Sequence, residues 1–129
     1  MTCSDILTVA CNLISEESGE NLQNPEFAAR APYIIASFCG MASIVDKHYR
    51  AAFSLGLQPS FNRVRIELND IFPLCDRFLN ASATYLASML IAPHNPELSR
   101  ILREDARESL ATAYDEIPAK VHGIIDKNR

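Results

Sequence analysis

Hydrophobic positions recur at helical spacing from the start of the chain. Ile6, Val9 and Ala10, followed by Leu13 and Ile14, fall on one face of a helix. The pattern predicts a helix over residues 2–16, with Thr2 as its N-cap and Asp5 completing an imperfect capping box. The polar residues 17–24 that follow predict a loop.

The next apolar pattern is the widest in the chain. Asn24-Pro25 is a helix start, and Pro32 interrupts the pattern, so we expect a short helix over residues 25–30, a break, and a long helix over 32–53. Its broad apolar arc predicts packing against more than one partner, with Gly40 admitting a second backbone. The solvent side is predicted to carry Asp46, Lys47 and Arg50.

The period then changes from helical to alternating. Residues 54–62 break the helix, and apolar residues alternate with polar ones over residues 63–69, which predicts a single half-buried strand. A lone strand needs a partner for its backbone. That partner is either the irregular segment before it or another copy of the protein; a loose extended arm is the alternative. The candidate assembly contacts are Phe61, Arg63, Val64, Arg65, Ile66, Glu67 and Leu68.

Two further helices are expected in the second half. Pro73 is predicted to open a central helix over residues 73–92, whose small residues permit close packing. Asn95-Pro96 starts another over 96–117, a short helix follows over 119–127, and the last residues fray. The fold class is therefore all-α: one domain over residues 1–129, a small bundle of four to five helices with one extended segment near 62–69 and an arm at about 54–69.

Composition and charge narrow the classes of function. The chain has 129 residues and a net charge of −4, so we expect one domain and no basic nucleic-acid footprint. No apolar run reaches the ~20 residues of a membrane span, and the N-terminus lacks a basic signal-peptide region. We therefore expect a cytoplasmic protein that binds no membrane, with Cys3, Cys11, Cys39 and Cys75 as free, mostly buried thiols.

No catalytic motif or metal-ligand spacing stands out, so we predict no enzymatic activity, no cofactor and no metal. His48 lies near a predicted helix C-terminus, where the dipole mildly favours a cation. Arg63, Arg65 and Arg77, with Phe61 nearby, form a possible small nucleic-acid patch. Acidic residues interleave with these arginines, which favours a salt-bridged contact with a protein partner over specific binding of nucleic acid.

Two stretches carry a family resemblance. Residues 30–39 (RAPYIIASFC) and 71–90 (IFPLCDRFLNASATYLASML) resemble small helical proteins from phage and prophage structural clusters of Gram-positive bacteria. The order of elements over residues 6–114 is similar to that of the head–tail connector (adaptor, or head-completion) proteins of long-tailed phages. The extended segment corresponds to residues 64–68, the helix-opening proline to Pro73 and the Ala/Tyr-containing helix to residues 74–90.

The resemblance implies a non-enzymatic structural protein of the virion neck. Such proteins are cytoplasmic before assembly, then form homo-oligomeric rings between the portal and the tail and contact portal and tail-completion proteins. It carries over no site residue, because connectors act through surfaces.

Two alternatives remain open. One is a small helical regulatory module of a bacterium or mobile element that binds another protein, as a discrete dimer with an apolar groove. The other is a ligand binder or enzyme with a polar cluster inside the bundle, such as His48 or Tyr85 with a carboxylate.

Overall fold

Four α-helices build the described part of the fold, as the sequence predicts. The structure is a computed structural model that describes residues 1–18 and 25–118. The helices are α1 (Cys3–Ser18), α2 (Pro25–Phe53), α3 (Leu79–Ile91) and α4 (Pro96–Asp115). The loop predicted at 17–24 starts later than expected, because α1 continues to Ser18. The rest of that loop, the Asn24 helix start, the helix at 119–127 and the fraying tail lie outside the described residues.

The N-terminus of α1 carries the predicted capping box. Asp5 Oδ2 accepts hydrogen bonds from the backbone N and the hydroxyl of Thr2, both at 3.0 Å, and the Asp5 backbone N donates to Thr2 Oγ1 at 3.4 Å. These bonds satisfy backbone donors that the first turn of a helix leaves open. Local sequence therefore determines where α1 begins.

The predicted break at Pro32 is wrong, because α2 runs through it as one helix of 29 residues. Proline has no backbone N–H, so the hydrogen bond to the carbonyl of Ala28 is lost. Ala28 is exposed, which leaves that carbonyl within reach of water, and Pro32 itself is buried in the core. The carbonyl of Pro32 also accepts from the backbone N of Ile66 at 3.1 Å. Burial and this tertiary contact offset the local cost of the proline.

The predicted strand at residues 64–68 is also absent, since the described residues contain no strand. The segment is extended but irregular, and it is not a loose arm. Ile66 N donates to α2, as above, and the carbonyl of Leu68 accepts from Ser4 N at 2.7 Å. The helices thus satisfy these backbone groups in place of a second strand. Among the described residues, β pairing is limited to one isolated antiparallel bridge between Thr2 and Ile71.

The helix predicted from Pro73 begins later. A 3-10 turn, Asp76–Phe78, leads into α3, while residues 72–74 are buried and non-helical. The carbonyl of Pro73 accepts from Arg50 Nη2 at 3.1 Å, and the backbone N of Cys75 donates to Asp46 at 2.8 Å. These side chains of α2 hold the backbone in a non-helical path until Asp76.

Helix α3 is the central helix, as predicted. It packs against α1, α2 and α4, and nine of its 13 residues are buried. Small side chains bring α3 and α4 close together, and Ser99 Oγ of α4 donates to the carbonyl of Ser88 at 2.7 Å. Helix α4 begins with the predicted Asn95 cap, whose Oδ1 accepts from Leu98 N at 3.1 Å.

By length and composition, one helix could span a membrane, although the chain has no uninterrupted apolar run of ~20 residues. Helix α2 is long and apolar enough to cross a membrane. The core helix of a folded bundle has the same composition, and α2 buries Phe27, Ile35, Phe38 and further residues against the other helices.

Candidate assembly surface

A buried carboxylate organises the segment that joins α2 to α3, residues 54–75, here called the connection. Asp46 is fully buried, so its predicted place on the solvent side is wrong. Its Oδ2 accepts from Arg50 Nε and from Gln58 Nε2, both at 2.8 Å, and its Oδ1 accepts from the backbone N of Cys75 at 2.8 Å. These three donors compensate the loss of water around the charge.

Side chains near Asp46 form further hydrogen bonds with the connection. Arg50 Nη1 donates to the carbonyl of Leu57 at 3.4 Å, besides the bond from its Nη2 to Pro73. Gln58 and Ser43 exchange two hydrogen bonds, both 3.0 Å long. Side chains of α2 therefore fix the connection near both of its ends.

The first turn of the connection exposes apolar side chains although it is anchored. Leu57 is 95% exposed and Leu55 is also exposed. The backbone adopts positive φ at Ser54 (55°) and Gly56 (85°), where glycine is the favoured residue. We call residues 53–57 the tip. An exposed leucine held in a fixed turn is typical of a contact surface.

The structure divides the seven predicted assembly contacts among different environments. Ile66 is buried and Leu68 is half-buried, so both belong to the core side of the connection. Val64 is 69% exposed. These residues therefore do not form one outward face.

Of the remaining four predicted contacts, Arg63 and Arg65 reach α2, while Phe61 and Glu67 lie against these two arginines. The guanidinium of Arg63 lies 5.3 Å from the ring centroid of Phe61 and donates to the carbonyl of Gly40 at 3.3 Å. The group that approaches Gly40 is thus a side chain and not the second backbone that the sequence suggested. Arg65 lies over the Tyr33 ring and forms an ion pair with Glu67 at 2.8 Å.

A depression of about 760 Å³ lies under the connection. Phe61, Arg65 and Ile66 line it, together with Ile71. Ile71 is 74% exposed. Three of the predicted contacts are thus brought together around one concave surface.

A second concave surface, here called the groove, lies between α2 and α4. It has a volume of about 330 Å³. Its lining is mainly apolar, with two arginines of α4: Phe38, Met41, Tyr85, Arg103, Ala106, Arg107 and Leu110. Apolar concave surfaces with a few charged residues are typical binding sites for protein segments.

The thiols stay protonated at neutral pH. Burial, and then the nearby Asp70 carboxylate, raises the pKa of Cys3 to about 11. Burial, and then a hydrogen bond to Asp46, raises the pKa of Cys75 to about 11. Burial also raises the pKa values of Cys11 and Cys39. All four cysteines are free, as predicted, and a protonated thiol is a weak nucleophile.

The polar cluster that the ligand-binder alternative requires has a different composition in the structure. The buried carboxylate is Asp46, and its donors are Arg50, Gln58 and the Cys75 backbone. His48 Nδ1 and Ser82 Oγ are buried without a hydrogen-bond partner among the described residues. Across the described side chains of residues 1–15 and 25–118, no three His, Cys, Asp or Glu side chains are grouped to hold a metal ion.

Sequence reasoning missed Asp46, Gln58 and the tip. One signal was available for Asp46, which lies four residues after Ala42 and seven after Cys39, on the buried stripe of α2. No local signal links Asp46 to Gln58, because their contact depends on the path of the connection.

Comparison of the chain with protein-family models, with curated proteins and with solved structures finds no match.

Proposed function

We propose that this protein is a non-enzymatic assembly protein that binds other proteins through the tip and the exposed side chains of residues 61–67. On the family resemblance, we further propose that it is a head–tail connector of a phage or prophage, with a portal protein as its first partner. Of the predicted contacts at residues 61–68, Phe61, Arg63, Val64, Arg65 and Glu67 remain part of this proposal, whereas Ile66 and Leu68 face the core.

The observation that carries the proposal is the anchored, exposed tip. Leu55 and Leu57 expose apolar surface, which is unfavourable in water. A buried ion pair and several hydrogen bonds nevertheless hold the backbone beside them in one conformation. Such an ordered apolar turn loses little conformational entropy when a partner covers it.

The test begins with the genes that flank this one. A connector gene lies beside portal and capsid genes, and the portal protein encoded there becomes the ligand in a binding assay. We expect the full chain to bind this portal protein, and Leu57→Ser to weaken binding at least about tenfold, because a central apolar contact is worth more than 1.4 kcal/mol.

Val9→Ser is the matched control. Val9 is an exposed aliphatic residue on α1, away from the tip. We expect this variant to bind like the wild type, and both variants to unfold like the wild type, because both side chains are exposed. Absence of portal binding by the wild-type chain, or equal binding by Leu57→Ser, would refute the proposal.

The groove favours a second candidate, the helical regulatory module. An apolar groove between two helices is a common docking site for a helix of a partner. This candidate predicts metabolic or regulatory neighbouring genes and no affinity for a portal protein. The same flanking sequence and binding assay therefore distinguish the two functions.

A further inference from the structure

We propose that copies of this chain join head to tail, with the corner formed by Asp70 and Ile71 of one copy docked into the groove between α2 and α4 of the next. This inference rests on the proposed assembly function and names the contact between neighbouring copies.

The corner consists of the apolar side chain of Ile71 beside the carboxylate of Asp70. Hydrogen bonds hold its backbone in place. Ile71 is largely exposed, and Asp70 is exposed next to it. The carbonyl of Asp70 accepts from Cys3 N at 2.9 Å, and Phe72 N donates to the carbonyl of Met1 at 3.0 Å. The N-terminus of α1 thus holds the corner from both sides.

Among the described residues, the Asp70 carboxylate has no ion-pair partner. No Lys, Arg or His of the described ranges lies within 4.0 Å of its carboxylate, whereas five other carboxylates there form ion pairs. The corner therefore presents one negative charge and one aliphatic side chain to a neighbour.

The groove offers the complementary pair of features. Phe38, Met41 and Leu110 provide an apolar lining large enough for an isoleucine side chain. Arg103, also part of this lining, donates to Ser99 Oγ at 3.3 Å, and no carboxylate in residues 1–15 or 25–118 lies within ion-pair distance of it.

The two surfaces fit each other in charge and in polarity. In one docking geometry, Ile71 covers the apolar lining of the groove and Asp70 forms an ion pair with Arg103. Both residues of the corner then have a complementary partner. Arg107, which also lines the groove, pairs with Glu104 at 3.3 Å and adds a second positive charge.

A contact between two different surfaces repeats from copy to copy. It forms a closed ring when the rotation between successive copies adds up to a full turn, and a filament otherwise. A contact of this small size is weak alone, so association depends on concentration and on closure of the ring.

The test is sedimentation velocity of the full chain up to the highest concentration at which it stays soluble. We expect the wild type to associate with rising concentration. Asp70→Lys and Arg103→Glu should each weaken association at least about tenfold, because each places like charges together at the contact. The double variant D70K/R103E restores the opposite pair and should recover most of the association.

Asp76→Lys is the control, since Asp76 is exposed and lies outside both surfaces, and it should associate like the wild type. A wild type that stays monomeric, single variants that associate normally, or a double variant as weak as the singles would each overturn the inference. The second and third results would leave the groove as a docking site for a different protein.

Portal binding of the same variants separates this inference from the proposed function. Asp70→Lys retains the tip, so it should still bind the portal protein while failing to associate with itself. If the wild type does not bind the portal protein, the proposed function fails. If portal binding is normal and charge reversal leaves self-association unchanged, only the head-to-tail contact fails.

Discussion

At the scale of single residues, Asp46 determines the path of the connection. Its carboxylate is fully buried, and its partners come from α2, from Gln58 and from Cys75. Burying a charge pair gives little net stability, but removing one partner leaves the other uncompensated. Asp46 thus selects one conformation of the connection, and its contribution to the net stability of the fold is smaller.

We expect Asp46→Asn to lower the free energy of unfolding by about 3–5 kcal/mol. The asparagine amide group would face Arg50 Nε and Gln58 Nε2, which are both donors, and Arg50 would lose its ion pair. Urea unfolding followed by circular dichroism measures the change.

Glu67→Gln is the matched control. It removes a carboxylate from the ion pair with Arg65, whose partners are both about half exposed. Exposed pairs contribute at most about 1 kcal/mol, so the loss should be small. Equal losses in the two variants would mean that the Asp46 cluster does not anchor the connection.

The error about Asp46 has a residue-scale cause. Asp46 was predicted to lie with Lys47 and Arg50 on the solvent side of α2, whereas helical spacing places it with Cys39 and Ala42. A buried charge is rare without partners, and its partners here are up to 29 residues away. The sequence pattern does not show a compensating donor that distant.

At the scale of elements, the features that local chemistry determines were predicted well. Thr2 and Asn95 cap their helices as expected, because a cap depends on residues within one turn. The break at Pro32 and the strand at 64–68 were wrong. Both depend on tertiary contacts, since the carbonyl of Pro32 and the backbone N of Ile66 bond each other.

Two glycines should respond in opposite ways to the same substitution. Gly40 lies inside α2, and a Cβ there would meet Arg63 Nη1 at 3.7 Å, an ordinary contact, so Gly40→Ala should stabilise by up to about 1 kcal/mol. Gly56 has a φ of 85°, so Gly56→Ala should destabilise by about 1–2 kcal/mol.

Thermal and urea unfolding of the two variants measure these changes, and each variant is the control for the other. Stabilisation by Gly56→Ala would mean that the tip does not hold the left-handed conformation. Destabilisation by Gly40→Ala would mean that the contact between Arg63 and α2 is too tight for a methyl group.

At the scale of the whole molecule, the buried thiols make the fold sensitive to alkali. An unperturbed thiol has a pKa of 9.0, and in the folded chain Cys3 and Cys75 have pKa values of about 11. Between these values the unfolded chain releases protons that the folded chain retains. Cys3 and Cys75 therefore add no pH dependence to the free energy of unfolding well below pH 9, and they lower it as the pH rises from 9 toward about 11.

Urea titrations at a series of pH values test this expectation. Cys3→Ala should reduce the slope of stability against pH between 9 and about 11, even though it also lowers stability at neutral pH by leaving a small cavity. A stability that stays constant up to pH 11, or an unchanged slope in Cys3→Ala, would contradict the assignment.

The periodicity of apolar residues predicted the all-α class correctly, but it predicted only some of the exposed side chains. The alternation at 63–69 placed Val64, Ile66 and Leu68 on one inward face; Ile66 is buried as predicted, whereas Val64 is 69% exposed, so its predicted inward position is wrong. The tip was missed, because an apolar residue next to a glycine has no period from which its exposure can be deduced. Exposure at such a position is set by the anchoring of the connection to α2.

That anchoring has a consequence for engineering the protein. The side chains that hold the connection come from Asp46, Arg50 and Ser43 of α2, whereas the side chain of Leu57 is 95% exposed and contributes little to the packing. The position of Leu57 is therefore exchangeable. A new recognition sequence grafted there would inherit a rigid support, and the bundle would serve as a scaffold for binding partners of a different chemistry.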